Sequence, residues 1–206
     1  QTCALPISIS VDTFRPDVAR AAVAAGATII NDVLGGSVPG MLAAMAELDV
    51  PVVLMHSRGG PEAMGGEMRE YEDGDVVAGV RNELGERVQQ ALDAGVKRWN
   101  IILDPGIGFA KTGEDNVVLL RNLPAALGKG ARGDEDGFLG QFPSLVGLSR
   151  KRFLGTLTGR KDPKDRESAT AAAVMASIAG GADIVRVHGA GMGADVVRVA
   201  DAIYRA

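Results

Sequence analysis

Short apolar runs of β type recur along the chain, and six of them end in polar residues. The endings are Ser10-Val11-Asp12-Thr13, Ile30-Asn31-Asp32, Leu54-Met55-His56, Leu103-Asp104-Pro105-Gly106, Ser149-Arg150-Lys151 and Arg186-Val187-His188. Helix-period segments separate them. Val18, Ala21, Ala22 and Ala25 recur at helical spacing between Pro16, which suits a first turn, and Gly26, which suits an end. The pattern predicts further helices over about 39–48, 75–94, 114–123, 167–179 and 194–204, and strands over about 8–12, 28–30, 51–55, 100–103, 144–148 and 184–187. Three polar stretches remain as connections. The segment 57–74 is long enough to serve as a lid, 129–141 reads as solvated, and 160–166 as a charged loop.

Strict alternation of apolar strands with helices argues for an α/β fold with a parallel sheet and helices outside it. A doubly wound sheet and a (β/α) barrel both fit. A doubly wound sheet concentrates its site at one switch point, whereas a barrel draws on many strand ends. Nearly every strand here ends in a polar group, which favours the barrel. A TIM (β/α)8 barrel needs eight units, and the chain supplies six. The first two are therefore expected to precede Ser8, with 8–206 forming one domain. Residues 1–7 break the β pattern and read as a non-native leader. On that reading the fragment alone would be inactive and poorly soluble, because its outer strands would present unpaired edges.

Composition narrows the class further. A chain of 206 residues that is 46% hydrophobic and 23% charged can bury one sizeable core. A net charge of -4 without a Lys/Arg block argues against nucleic acid and anionic membranes as partners. No run reaches the roughly 20 apolar residues of a membrane span. The single cysteine, Cys3, excludes a disulfide framework and suits a reducing compartment such as the cytoplasm. Neither a G-x-G-x-x-G fingerprint nor a P-loop opens any helix.

Asp12, Asn31 and Asp104 end three different strands. A carboxylate accepts two parallel N–H donors, and an amide offers donor and acceptor, so such a set can read a flat heterocycle. The competing reading is that each caps the helix that follows. Arg150, Lys151, Arg186 and His188 end the last two strands, where barrels commonly hold phosphate. Arg186 and His188 flank Val187 and so share one face. His56 reads better as a hydrogen-bonded structural residue than as a catalytic one. The two histidines have no metal-ligand spacing, so no protein-built metal site is expected, although Mg²⁺ held largely by substrate phosphates remains compatible.

These motifs, with Asp104-Pro105-Gly106-Ile107-Gly108-Phe109 and Lys111, resemble the dihydropteroate synthase family over about Ser8–Arg205. The resemblance implies a TIM barrel. It implies condensation of 6-hydroxymethyl-7,8-dihydropterin diphosphate with p-aminobenzoate, releasing pyrophosphate, with Mg²⁺ as cofactor. It places the pterin against Asp12, Asn31, Met55, Asp104, Lys151 and Arg186. It places p-aminobenzoate against Phe109, Ser149 and Lys151, and the diphosphate against Arg186 and His188. Lys151, Arg186 and His188 are the expected catalytic residues. The implied partners are these small molecules, and a homodimer is compatible with the resemblance. Gly189-Ala190 follows His188 where many relatives have Asp-Val. The polar insert 129–141 resembles multifunctional fungal forms, which would allow a mitochondrial location. Two rivals stand beside this reading. A pterin-binding methyltransferase domain would share the Asp and Asn contacts but has no diphosphate to hold. A non-catalytic fragment would retain only the pterin pocket.

Overall fold

The computed structural model describes residues 7–59, 70–130 and 137–205. Six strands alternate with helices: β1 (Ser10–Asp12), β2 (Ile29–Asp32), β3 (Val52–Met55), β4 (Ile101–Asp104), β5 (Leu145–Gly147) and β6 (Ile184–Arg186). The helices are α1 (Pro16–Ala24), α2 (Met41–Leu48), α3 (Val76–Asp93), α4 (Gly113–Arg121), α5 (Leu123–Ala126), α6 (Arg152–Thr158), α7 (Glu167–Ala179) and α8 (Ala190–Tyr204). All pairings are parallel, in the order β1-β2-β3-β4 and β5-β6. A parallel bridge between Leu103 and Ser144 joins the two sheets. The strands therefore run in chain order, as in a (β/α) barrel, but β1 and β6 do not pair and the barrel is not closed.

Burial follows position in this array. β3 and β4 are buried along their whole length, while β1 and β6 each alternate exposed, half-buried, exposed. On the helix side, Val52, Leu54, Ile101 and Leu103 meet Met41 and Met45 of α2 and Val80, Leu84 and Val88 of α3 in one core. These α3 residues recur every four positions, which builds a single apolar stripe on that helix. A second, small cluster of Val174, Ile178 and Ala200 joins α7 to α8.

Three sequence expectations need correction. Arg152–Thr158 is a helix, where no element was expected; Phe153 and Leu154 anchor it. The last helix begins at Ala190, four residues before its expected start. The connection 129–141 is not uniformly solvated. Its residues 131–136 lie outside the described residues, but Leu139 is buried, as is Phe142 just beyond it. Of the expected lid 57–74, residues 60–69 likewise lie outside the described residues. The charged loop 160–166 turns out to carry a structural anchor. Arg166 is buried and donates to the carbonyls of Arg160, Lys161 and Arg150, tying this loop to the end of β5.

Two glycines in helices separate packing from propensity. A Cβ on Gly155 would lie 2.5 Å from Nε of Arg166 and 2.6 Å from the Arg160 carbonyl, whereas nothing lies within 4 Å of one on Gly85. Gly155→Ala is expected to destabilise by about 1–3 kcal/mol through overpacking. Gly85→Ala is expected to stabilise by about 0.5–1 kcal/mol, because alanine restricts the unfolded chain and favours a helix. Urea unfolding of both variants checks the pair, and shifts of the same sign would contradict it.

Candidate active site

Successive residues of a strand face opposite sides, and partners in a parallel register face the same side. Asp12 pairs with Asn31, and Asn31 with Val53. Met55, two residues after Val53, pairs with Asp104. Gly147 pairs with Arg186. Because Leu103 is opposite Ser144, the face that holds Asp104 continues through Leu145 and Gly147. Asp12, Asn31, Met55, Asp104 and Arg186 thus project from one face, at the carboxyl ends of their strands. Ser149 and His188 extend the same alternation past β5 and β6, and their side chains meet.

The capping alternative for the polar strand ends fails. The N-caps of α1, α2 and α4 are Arg15, Gly40 and Thr112, and the Thr112 cap is a capping box with Asp115. Asp32 has a local role instead. It is fully buried on the opposite face from Asn31 and accepts from the backbone N–H of Leu34 and Gly36, both at 2.8 Å.

Asp104 forms the floor of the site. It is 8% exposed, and its Oδ1 accepts from the Gly106 N–H at 2.7 Å. Burial raises its pKa to about 6, against the opposing pull of the Gly106 hydrogen bond and the Lys151 and Lys111 charges. Gly106 has φ of +67°, and a Cβ there would sit 1.9 Å from the His56 carbonyl oxygen. Only glycine lets the turn after Asp104 pass so close to β3.

Lys151 lies across the site, with its Nζ 4.0 Å from the centroid of the Phe109 ring. Burial lowers its pKa, opposed by Asp104 and assisted by Arg186. Its stem occupies the space a Cβ on Gly108 would take, 2.8 Å from Lys151 Cδ. Arg150 does not join it. Arg150 adopts a left-handed φ of +61°, and its guanidinium pairs with Glu167 of α7.

At the far end, Arg186 donates to Nε2 of His188 at 3.2 Å. A guanidinium can only donate, so Nε2 accepts and the neutral ring carries its proton on Nδ1. Nδ1 lies 2.9 Å from Oγ of Ser149, which also accepts from the His188 backbone N–H at 3.1 Å. The Ser149 hydroxyl proton is thereby left to donate to a ligand. Partial burial, then the Arg186 and Arg150 charges, hold His188 below the ordinary histidine value. These groups open on a cavity of about 1000 Å³ whose wall also includes Arg152, Lys164 and Thr156. Asp12, Asn31, Met55, Asp104 and Phe109 do not line that cavity; they lie beside it, along the sheet face. The site is therefore a shelf with a carboxylate at its centre and a basic recess on one side.

His56 takes no part in the face that carries Asp104 and Arg186 and is hydrogen-bonded within the core. It is buried, its Nε2 is 3.1 Å from Glu83, and its Nδ1 is 2.9 Å from Nζ of Lys111. Lys111, Glu83 and Arg58 around it escaped assignment from the sequence. Lys111 carried one usable signal, its place directly after the Gly-rich turn that follows Asp104.

The raised pKa of Asp104 has a thermodynamic consequence. The folded protein holds this proton more tightly than the unfolded chain, in which Asp titrates near 3.9. The associated stability is full below pH of about 4 and is lost as pH rises through about 6. Asp104→Asn keeps the acceptor for Gly106 and removes the charge. It is expected to be more stable than the natural protein at pH 7.5 by about 1–3 kcal/mol, with the gap closing below pH of about 4. Thermal unfolding at the two pH values checks this; a melting temperature at or below the natural protein's at pH 7.5 would overturn it.

Residues 2–188 match the family described as pterin binding enzyme. The dihydropteroate synthase of Synechocystis sp. is 45% identical over 202 residues, covering 98% of this chain and 65% of that protein. A folic acid synthesis protein of Pneumocystis carinii is 44% identical over 200 residues, covering 97% of this chain and 26% of that protein. The structure of dihydropteroate synthase from Xanthomonas albilineans in complex with 7,8-dihydropteroate superposes with a TM-score of 0.82 at 43% identity, covering 96% of this chain and 67% of that one. The chain thus spans about two thirds of the length of the Synechocystis relative and about a quarter of the Pneumocystis carinii one. Its fold, its strand-end residues and these likenesses agree, and the chain belongs to the pterin-binding enzymes, among the dihydropteroate synthases.

Proposed function

We propose that the protein is a dihydropteroate synthase, joining 6-hydroxymethyl-7,8-dihydropterin diphosphate to p-aminobenzoate. One observation carries this reading: the shared register puts the buried carboxylate of Asp104 and the guanidinium of Arg186 on one sheet face, and Lys151, Arg152 and Lys164 wall the cavity beside Arg186. That is the charge pattern of a substrate with N–H donors at one end and phosphates at the other. The solved Xanthomonas albilineans relative is in complex with 7,8-dihydropteroate, the product of this condensation. We further propose that the six-strand array is the larger part of an eight-stranded barrel.

In this reading Asp104 accepts two donors from the amino-pyrimidine edge of the pterin, and Asn31 and Asp12 read the rest of its rim. Met55 packs on the ring. Arg186 and the Ser149 hydroxyl proton take the diphosphate, and His188, whose Nε2 accepts from Arg186 while the ring is neutral, joins them once the anion draws Arg186 away and a proton onto its ring. The C–O bond between the exocyclic methylene and the diphosphate breaks, and its electron pair leaves with pyrophosphate. Cations aimed at the leaving oxygens stabilise that charge. The arylamine nitrogen forms the new C–N bond and releases a proton. Phe109, Ser149 and Lys151 border the space this nucleophile enters, and the step needs positioning more than a strong base.

Magnesium was expected from the resemblance. Lys151, Arg152, Lys164 and Arg186 wall the basic recess, with Asp162 its one carboxylate among the described residues. Among the described residues no three His, Cys, Asp or Glu converge as a metal site. These residues do not fit a protein-held Mg²⁺, so the ion would accompany the diphosphate of the substrate. Among the described residues no helix is long and apolar enough to cross a membrane. A methyltransferase domain would leave Arg186 and His188 without a role.

The reading is tested by following dihydropteroate formation from the two substrates. Lys151→Ala is expected to lower kcat/KM at least tenfold, or about 1.4 kcal/mol. Near-normal turnover would leave Lys151 as a surface charge. His188→Ala is expected to weaken pyrophosphate more than a phosphate-free pterin, measured by calorimetry. Equal losses for the two ligands would remove His188 from the diphosphate site.

A further inference from the structure

Beneath the shelf, and reaching the cavity wall at Lys111, lies a buried charged network that the proposed chemistry does not use. Lys111 is 5% exposed, yet its Nζ meets three acceptors: the Gly106 carbonyl at 3.0 Å, the Phe109 carbonyl at 3.1 Å and Nδ1 of His56 at 2.9 Å. An ammonium has three N–H donors, so all of Lys111's are placed. The His56 tautomer follows. Glu83 only accepts, so Nε2 carries the ring proton and Nδ1 is free to accept from Lys111. Glu83 in turn holds Arg58, whose guanidinium lies 3.8 Å over the Tyr71 ring, and the Tyr71 hydroxyl donates to the Ala110 carbonyl at 3.1 Å. The network thus grips the segment 106–110 at three carbonyls. That segment supplies both the N–H bonded to Asp104 and the Phe109 ring beneath Lys151.

We infer that Lys111, set by His56 and Glu83, is a positioning residue that clamps the Gly106–Ala110 turn and so aims Asp104 and Phe109 at their ligands. The inference rests on the dihydropteroate synthase reading for the identity of those ligands, but the clamp itself has a ligand-free signature. A point-charge ammonium suits three acceptors converging on one place, which a planar guanidinium does not. Burial lowers Lys111 to about 7, with Asp104, Glu83 and Asp115 opposing that shift and Arg58 assisting it. Lys111 is also, with Lys151, one of the two cations that hold Asp104 down against its own burial. Removing the Lys111 charge must therefore move the Asp104 titration upward, an effect that loosened packing alone has no reason to produce.

The test compares the natural protein with Lys111→Met by ¹³C NMR titration of the Asp104 carboxyl and by amide exchange at Gly106. The expected result is an Asp104 midpoint above the natural value and Gly106 exchange faster by about tenfold or more. A 7,8-dihydropteroate affinity reduced by about 10–100-fold is expected alongside, as for loss of an outer-shell partner. An unchanged Asp104 midpoint with unchanged Gly106 exchange overturns the clamp. A second pair keeps the question open to refutation if Lys111→Met does not fold. His56→Leu deletes the acceptor for Lys111, while His56→Asn places an amide oxygen near the former Nδ1. Asn is expected to restore Gly106 protection relative to Leu, and equal protection in the two overturns the role of His56. If the natural protein binds no 7,8-dihydropteroate, the functional reading falls while the two NMR measurements still decide the clamp.

Discussion

The whole site depends on the parallel register of neighbouring strands. Side chains along a strand alternate between faces, so one residue of slippage would turn a polar ending from the shelf into the helix layer. The register is fixed from the other side. Ile30, Val52, Leu54, Ile101 and Leu103 are completely buried against the helices, and moving any of them to the open face would forfeit about 1.5–3 kcal/mol per side chain. The apolar residues at alternate positions therefore hold Asn31, Met55 and Asp104 in line without touching a ligand. Asp32 shows the same constraint from the helix side. As a buried carboxylate it is tolerated only because two backbone N–H groups meet it.

Charge is distributed unevenly over this frame. The middle of the array is the driest place, and Asp104 sits there with a raised pKa. Two lysines share the effect, one on each side of the turn that follows Asp104. Lys151 approaches from above, over Phe109, and Lys111 from below, among three acceptors. Both are lowered by burial. Such mutually opposed shifts mark groups kept in uncomfortable surroundings for a purpose other than stability. A ligand with N–H donors would relieve the carboxylate directly, so binding energy is concentrated where the empty site is least content.

Much of this was legible in the chain because strand ends announce themselves. The change from apolar run to polar residue singled out Asp12, Asn31, Asp104, Lys151, Arg186 and His188, and parity puts the strand residues Asp12, Asn31, Asp104 and Arg186 on one face. Other features left no local signal. Helix α6 has only seven residues and two buried side-chain anchors, Phe153 and Leu154, among charges that suggest a loop. The early start of α8 was obscured by Gly189, Gly191 and Gly193. Yet a Cβ on Gly193 would lie 2.6 Å from Val187, so that glycine meets a packing demand of the helix rather than a turn. The clamp was invisible for a different reason. His56 bonds Glu83 across 27 positions and Lys111 across 55, and no periodicity encodes such partners.

The two ends of the site also ask for different geometry. Under the proposed function, recognition of a flat ring demands placed donors and acceptors, and the candidates are Asp12, Asn31 and Asp104 on β1, β2 and β4. Charge stabilisation tolerates looser geometry, because Coulomb energy falls slowly with distance. Arg186 ends β6 and His188 follows it two residues on, tied to each other and to Ser149 beyond the end of β5. In the proposed reaction Arg186, held at 3.2 Å by His188, can follow a departing anion, whereas Asp104 is fixed by the Gly106 N–H at 2.7 Å.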